Sequence, residues 1–477
     1  MAKNYFYNLL LTLANLLFPV LSFPYVSRVL GPEGIGKVQF AFSFAQYFVL
    51  VANIGIPIYG IKEIARFKND MNGRSKVFSE LIVIYFLTSI SLSLVYLGVV
   101  FLCPYFNADR EMYVAASLMI LLGFFSIEWL YSGMEEFKSI ALRSVLFKVI
   151  GLALFFIFIK EKSDFKLYLY IMMFSFLGNN ILSSFLIRGK VKLTLSNLQL
   201  RKHLVPLLLI LSTTLAAGMY TIMDTVLLGF LSNYKTVGVY TAADKLCNIM
   251  VPFVTSMGIV LIPKIAKNFA EKNMPEVQQN LDQTFRFLMF FAVPIVFGLA
   301  LLAPEFLALF SGKEFLPATN AMRILALLPL VIGLGHFFLF LVLVPAGKNK
   351  EMLFCVLGGL CVFLVLNILL VPRLQALGSS IANIFSELVV TSLYFYYVRK
   401  YFSFTYEWSL FIKAVMSAVL FIPIIWFTRQ LNFPLIYMLI VSVCSCALVY
   451  ISVQFFILKN NFVLDIVNFV KVKFKQA

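Results

Sequence analysis

The chain has 477 residues, of which 61% are hydrophobic and 13% charged, with a mean hydropathy of +0.94. Soluble globular proteins carry about 45–50% apolar and about 25% charged residues, so the water-soluble classes are excluded at the outset. The 39 Lys and Arg against 22 Asp and Glu, a formal +17, do not point to nucleic acid, because basic residues on so apolar a chain mark the cytoplasmic ends of membrane helices.

Apolar runs of about 20 residues, the length that crosses a bilayer, recur from end to end. They lie near residues 9–29, 38–61, 77–101, 113–134, 141–160, 165–187 and 204–231, then 237–262, 287–304, 319–345, 352–371, 377–398, 411–428 and 434–458. The expected fold is an all-α polytopic membrane protein of about 14 transmembrane helices. The runs are continuous where a barrel strand would alternate, and lipid offers backbone groups no partner outside a helix. The first run follows Lys3 and lacks a small-x-small cleavage site (Ser22-Phe23-Pro24 stands there), so it reads as an uncleaved membrane helix. The longest connections, near 188–203 and 263–286, are roughly twenty residues, too short for a soluble domain. Within the latter, Val277, Leu281, Phe285 and Leu288 share one helical face, which predicts an interfacial helix between two halves. The tail after residue 458 alternates Asp465, Asn468, Lys471 and Lys475 with Leu464, Val467 and Val470 and reads as another surface-lying helix.

The connections orient the chain. With both termini inside, the cytoplasmic segments hold 25 basic and 11 acidic residues, and the opposite side holds ten and seven. The richest cytoplasmic clusters are Lys62, Arg66, Lys68, Arg74 and Lys76, and Arg188, Lys190, Lys192, Arg201 and Lys202. Lys160, Lys162 and Lys166 run against the bias. Within the spans Lys148, Lys245, Arg323 and Lys413 balance Glu128, Asp224, Asp244 and Glu387. The net charge is therefore a topology signal.

A faint repeat divides the chain. Leu30-Gly31 closes a span, Gly36 opens the next, and that span exits through Glu63-Ile64-Ala65-Arg66; Leu228-Gly229, Gly238 and Lys264-Ile265-Ala266-Lys267 repeat the pattern. The copies have one orientation, so the expected halves are parallel six-helix repeats with a cavity between them. The corresponding organisation is an N-terminal lobe over residues 1–203, a C-terminal lobe over 204–400, and two additional helices with a basic tail over 401–477.

A charge inside a bilayer costs at least about 2.5–3.5 kcal/mol on insertion scales and wants a partner or a wet cavity. Glu128 and Lys148 lie at similar depth in neighbouring spans and are expected to form a structural ion pair, with Lys148 also a candidate for lining the cavity. Asp224, Asp244 and Lys245 share one depth near the outer side, where they either hold a coupling Na⁺ or H⁺ or form an Asp–Lys pair that fixes the hairpin. Thr221, Thr225, Tyr220 and Tyr240 are nearby oxygen donors. Arg28 and Arg323 are candidates to grip a diphosphate, since the guanidinium fork matches phosphate oxygens, with snorkelling to the interface as the alternative. The six Cys read as buried small apolar residues, and neither they nor the two His form a metal-ligating cluster, so no metal is expected. His336, preceded by Gly333 and Gly335 and followed by Phe337, reads as a packed core histidine.

Ser27-Arg28-Val29-Leu30-Gly31-Pro32-Glu33-Gly34-Ile35-Gly36, followed by Asn53-Ile54-Gly55-Ile56-Pro57 and Ile64-Ala65-Arg66, resembles the N-terminal signature of bacterial polysaccharide flippases. These are the O-antigen and capsule repeat-unit transporters of the multidrug/oligosaccharidyl-lipid/polysaccharide exporter superfamily. Asp224-Thr225-Val226-Leu227-Leu228-Gly229 and Val237-Gly238-Val239-Tyr240-Thr241-Ala242-Ala243 are similar to that family's seventh and eighth helices. The resemblance implies two six-helix lobes plus two C-terminal helices in a bacterial cytoplasmic membrane. It also implies an oligosaccharide on undecaprenyl diphosphate as substrate, with polysaccharide polymerase and chain-length machinery as partners and no nucleic acid. Arg28 and Asp224 sit in matched motifs, whereas Lys148, Asp244, Lys245 and Arg323 rest on depth alone.

The expected mechanism is alternating access, with the head group in the cavity and the polyprenyl tail in lipid. No covalent chemistry is required, so an enzyme is not expected. A drug/cation antiporter of the same superfamily is the alternative reading. A membrane glycosyltransferase or polymerase is disfavoured because such enzymes usually need a larger outward loop with paired carboxylates or clustered arginines. The one acidic outward cluster, Asp109-Arg110-Glu111, reads as a solvated turn.

Overall fold

A computed structural model describes residues 2–187 and 189–459, with side chains for residues 6–7, 9–187, 189–211 and 222–459. Among the described residues the chain is helical throughout and contains no strand. Eleven helices among the described residues are long and apolar enough to cross a membrane, and the pair Arg110–Leu121 and Gly123–Gly133, bent by 41°, is a further candidate. The protein is thus an all-α multi-pass membrane protein. The expected surface-lying helix after residue 458 falls, from residue 460 on, outside the described residues.

The chain divides into two compact units, residues 1–238 and 239–477. In the first, α1 (Ala2–Ala52) contains the two spans expected at 9–29 and 38–61. They meet at Gly31, whose φ of 67° and ψ of 179° break the helix immediately before Pro32. The second arm ends at Ala52, short of the expected boundary, because Asn53-Ile54-Gly55 is a turn. The Gly55 N–H donates to Asn53 Oδ1 at 3.0 Å with Gly55 at φ 83°, and Pro57 then opens α2 (Ile56–Arg66). Thr88 Oγ1 donates to the Ala52 carbonyl at 2.6 Å, satisfying an acceptor that the helix end leaves open.

The remaining helices of this unit are α3 (Met71–Leu102), α4 (Arg110–Leu121), α5 (Glu128–Gly133), α6 (Phe137–Phe158), α7 (Phe165–Phe185) and α8 (Arg201–Leu231). Gly60 and Gly133 let α2 and α5 pack closely: a β-carbon would lie 2.4 Å from the Trp129 ring at the first and 2.8 Å from Ile64 at the second. The connection before α8 is not a free loop. Arg74, Ser75, Ser79 and Glu80 of α3 hydrogen-bond the backbone of Lys190, Lys192, Thr194 and Gln199, so the first turns of α3 bind it along its length. The Asp109-Arg110-Glu111 cluster also differs from the expected solvated turn, since Asp109 is mostly buried and pairs with Lys37 at 3.1 Å.

Helix α9 (Tyr234–Asn248) carries the chain into the second unit. There α10 (Val251–Ala270) and α11 (Met274–Leu301) correct one expectation. Val277, Leu281, Phe285 and Leu288 do share a face, but α11 runs unbroken from Met274 into its membrane span, and that face is buried in the core with Phe337, Phe338 and Leu341. The stripe is therefore the start of a spanning helix, and no separate interfacial helix forms. Next come α12 (Ala303–Phe310), α13 (Thr319–Leu325), α14 (Leu328–Phe338), α15 (Asn349–Leu374), α16 (Ala376–Tyr401), α17 (Ser409–Val419), α18 (Phe421–Gln430) and α19 (Leu435–Ser452). The segment between α16 and α17 is pinned to α11, where the Gln278 amide exchanges two hydrogen bonds with the Thr405 backbone and Arg286 pairs with Glu407 at 2.8 Å.

Candidate functional site

Four helices of the first unit bring polar side chains together, with Glu128, Lys148 and Asn179 half-buried and Asn15 exposed. Lys148 of α6 donates to Asn15 Oδ1 of α1, and Asn179 Nδ2 of α7 donates to Glu128 Oε1 of α5 at 3.0 Å. The ion pair expected between Glu128 and Lys148 is replaced by these two amide contacts, and among the described residues no ion pair joins them. The reason is geometric: each charge meets an amide from a third helix before it meets the other. An amide dipole partly solvates a charge without neutralising it.

Arg28 is exposed on the first arm of α1, and its Nη1 donates to the Pro24 carbonyl at 2.8 Å. Arg323 is exposed on α13 of the second unit and donates to Asn320 Oδ1 at 3.2 Å. The three cationic candidates thus divide between the units, with Arg28 and Lys148 in the first and Arg323 in the second.

The carboxylate candidates divide in the same way. Asp224 is buried near the end of α8 in the first unit, while Asp244 and Lys245 lie on α9 within the second. Asp244 Oδ1 accepts from Asn248 Nδ2 at 2.7 Å, one turn along the same helix. Tyr240, buried, accepts from Asn383 Nδ2 at 3.2 Å. The side chains of Tyr220 and Thr221 lie outside the described residues. His336 is half-buried with its ring 4.6 Å from that of Phe340.

The structure also assembles a polar centre that sequence reasoning missed. Glu80 of α3 is fully buried; its Oε2 meets Lys202 Nζ and His203 Nε2 of α8, each at 2.8 Å, and its Oε1 accepts the Gln199 N–H at 2.9 Å. His203, also buried, meets the Tyr59 hydroxyl of α2 through Nδ1 at 2.9 Å. A carboxylate is stable this deep only when its lone pairs are satisfied, and here three donors do so. The one sequence signal was the rarity of histidine, since His203 is one of two in the chain.

An apolar cavity of about 320 Å³ opens in the second unit between α11, α18 and α19, walled by Phe290, Pro294, Phe421, Ile425, Cys446 and Tyr450.

With this geometry in view, the chain matches known proteins as follows. A family model described as polysaccharide biosynthesis protein covers residues 1–269, more than half of the chain, and one described as lipid II flippase MurJ covers residues 207–444. Two relatives, from Shigella dysenteriae and Escherichia coli (strain K12), each named "Putative O-antigen transporter", are 25% and 24% identical over 397 and 414 residues. The alignments cover 82% and 83% of this chain and 98% and 96% of theirs. A solved structure of lipid II flippase MurJ in an inward closed conformation superposes with a TM-score of 0.72 at 14% identity, over 95% of this chain and 99% of that one. At that identity the likeness is one of fold.

Proposed function

Since the chain belongs to the polysaccharide biosynthesis protein family, we propose that it is a flippase. It moves an undecaprenyl-diphosphate-linked oligosaccharide repeat unit from the cytoplasmic to the outer leaflet of a bacterial cytoplasmic membrane, for surface polysaccharide synthesis. The observation that carries this reading is the family match over residues 1–269, which contains both the Arg28 motif and the Asp224 motif. Two relatives whose own lengths are almost fully covered, and whose name is that of an O-antigen transporter, support it.

In this reading about fourteen spans form two six-helix lobes, residues 1–203 and 204–400, with two further helices over 401–477 and both termini cytoplasmic. Arg28, Lys148 and Arg323 face the head group, and alternating access carries it across without covalent chemistry. The apolar cavity at Phe290, Phe421 and Tyr450 suits a stretch of isoprenoid chain, whose methyl-branched surface gains about 25 cal/mol per Å² of apolar area removed from water. Asp224 and Asp244 sense a Na⁺ or H⁺ gradient, and a polysaccharide polymerase with its chain-length machinery consumes the product.

The test is reconstitution. Proteoliposomes holding the full chain are loaded with a fluorescent undecaprenyl-diphosphate oligosaccharide, and leaflet exchange is read by quenching from outside. Exchange above protein-free vesicles is expected. If the vesicles instead move a hydrophobic cation and leave the lipid-linked sugar in place, the antiporter reading replaces this one.

A further inference from the structure

Three cations from three different helices surround one cavity of the first unit. The cavity, about 390 Å³, is lined by Tyr59, Glu63 and Arg66 of α2, Lys76 of α3, and Lys202 and His203 of α8. The carboxylates nearby are already engaged. Glu63 accepts from Arg66 Nη1 at 2.7 Å, and Glu80, behind the cavity wall, is taken up by Lys202, His203 and the Gln199 N–H. Lys76 is half-buried and among the described residues forms no ion pair. Tyr59 adds a hydroxyl held in place by His203 Nδ1. Three cations therefore face two carboxylates that are both already bonded, and the remaining donors belong to an Arg fork and two ammonium groups.

We propose that this cavity is a binding site for a phosphate-bearing anion, a mono- or diphosphate group held by Arg66, Lys76 and Lys202. Phosphate chemistry fits better than a single carboxylate. A phosphoryl or diphosphate group carries more than one negative charge and has acceptor oxygens on several sides, which donors converging from three helices can reach at once. His203 and Glu80 do not touch the anion. They are positioning residues: the Glu80 carboxylate holds Lys202 and accepts from the imidazole Nε2–H, and the imidazole Nδ1 accepts the Tyr59 hydroxyl proton, which ties α2 to α8. The site does not depend on transport, because the cavity binds its anion whether or not the chain flips a lipid. The anion has two sources of the same chemistry, a soluble phosphate or the head group of an amphiphile.

Calorimetry on the purified full-length protein in detergent separates them, with inorganic pyrophosphate in one arm and a short-chain prenyl diphosphate in the other. Binding of pyrophosphate, weakened at least tenfold by Lys76→Gln and restored to within threefold by Lys76→Arg, is the expected result. Binding of the prenyl diphosphate alone, lost in Lys76→Gln, supports the site with an amphiphile as its source. No binding in either arm, or equal binding by wild type and Lys76→Gln, overturns the proposal. A measurement on the unmodified protein guards against misfolded variants. Acetylation of Lys76 by acetic anhydride, read by mass spectrometry, should fall several-fold in the presence of whichever diphosphate binds, and unchanged labelling counts against the site.

Discussion

Gly36 and Gly238 each seat against bare backbone from the other's helix. A β-carbon on Gly36 would lie 1.6 Å from the Tyr234 carbonyl oxygen, and one on Gly238 would lie 1.8 Å from the Pro32 carbonyl oxygen. The contact is reciprocal, since each carbonyl belongs to the residue one helical turn before the opposing glycine. These are also the two positions that the internal repeat equates, so the repeat has a physical consequence: its matched glycines form a mutual backbone contact that no other residue fits.

Gly36→Ala is expected to destabilise the protein by at least about 2 kcal/mol, because the neighbour that must move is backbone and cannot rotate away. Gly238→Ala should do the same. Since the two share one contact, the double variant should lose clearly less than the sum of the singles. Thermal midpoints of the detergent-purified variants test this, and an unchanged midpoint in either single variant rejects the close approach.

The Asn53-Ile54-Gly55-Ile56-Pro57 motif makes a second backbone prediction. Gly55 has φ 83°, and a β-carbon there would lie 2.8 Å from Ile210 Cγ2. Gly55→Ala combines left-handed strain with overpacking and should cost about 1–3 kcal/mol. Asn53→Ala removes only the acceptor of the Gly55 N–H and should cost about 1 kcal/mol. The same thermal assay ranks the two, and a larger loss for Asn53→Ala contradicts the turn geometry.

These cases show what the sequence made legible. Hydropathy runs marked membrane helices because lipid forces every backbone group into a helix, and that constraint is written residue by residue. It could not mark where a helix breaks within a run. Ile54 and Gly55 are apolar or neutral to a hydropathy window, yet their positive φ values end the second arm of α1 nine residues early. The stripe of Val277, Leu281, Phe285 and Leu288 was visible for the same reason, but periodicity shows only that a face is apolar, and protein packing against Phe337 satisfies it as well as a membrane surface would. Site chemistry was less legible still. Depth arguments set Lys148 beside Glu128, whereas Asn15 and Asn179, unremarkable polar residues in the sequence, take both contacts. Glu80 and His203 are 123 residues apart, and only the fold brings them to 2.8 Å.

The Glu80 centre predicts a strong coupling energy. Glu80→Gln leaves His203 and Lys202 facing an amide whose NH₂ opposes their donors, and removal of one partner from a buried pair costs about 3–5 kcal/mol. Lys202 is partly exposed and can turn to water, so the lower end of that range applies. His203→Gln alone should lose less, and a double-mutant cycle should return at least about 1 kcal/mol of interaction. Additive losses would mean that the two side chains are neighbours without being partners.

Asp224 and Asp244 belong to different compact units, and each carboxylate is tested by its own variant. Asp224→Asn and Asp244→Asn proteoliposomes are expected to keep downhill exchange of the lipid-linked oligosaccharide and to lose its acceleration by an imposed Na⁺ or H⁺ gradient. Running both gradients separately identifies the coupling ion. If both variants respond to the gradient as the wild type does, neither carboxylate couples transport.

Lys148 separates a binding role from a structural one. If its bond to Asn15 serves only to tie α6 to α1, Lys148→Ala and Asn15→Ala should lower the thermal midpoint equally, and flipping should fall only in proportion to folded protein. If Lys148 meets the diphosphate, Lys148→Ala should reduce exchange tenfold or more at an unchanged midpoint, and Lys148→Arg should retain most of the activity because the charge is kept. Asn15→Ala should then have a small effect, since it frees the ammonium without removing it. We expect the second pattern. An amide is a weak counterpart for a charge that costs about 2.5–3.5 kcal/mol to place in the bilayer, and a lysine retained at that cost is better explained by an anionic substrate than by one hydrogen bond.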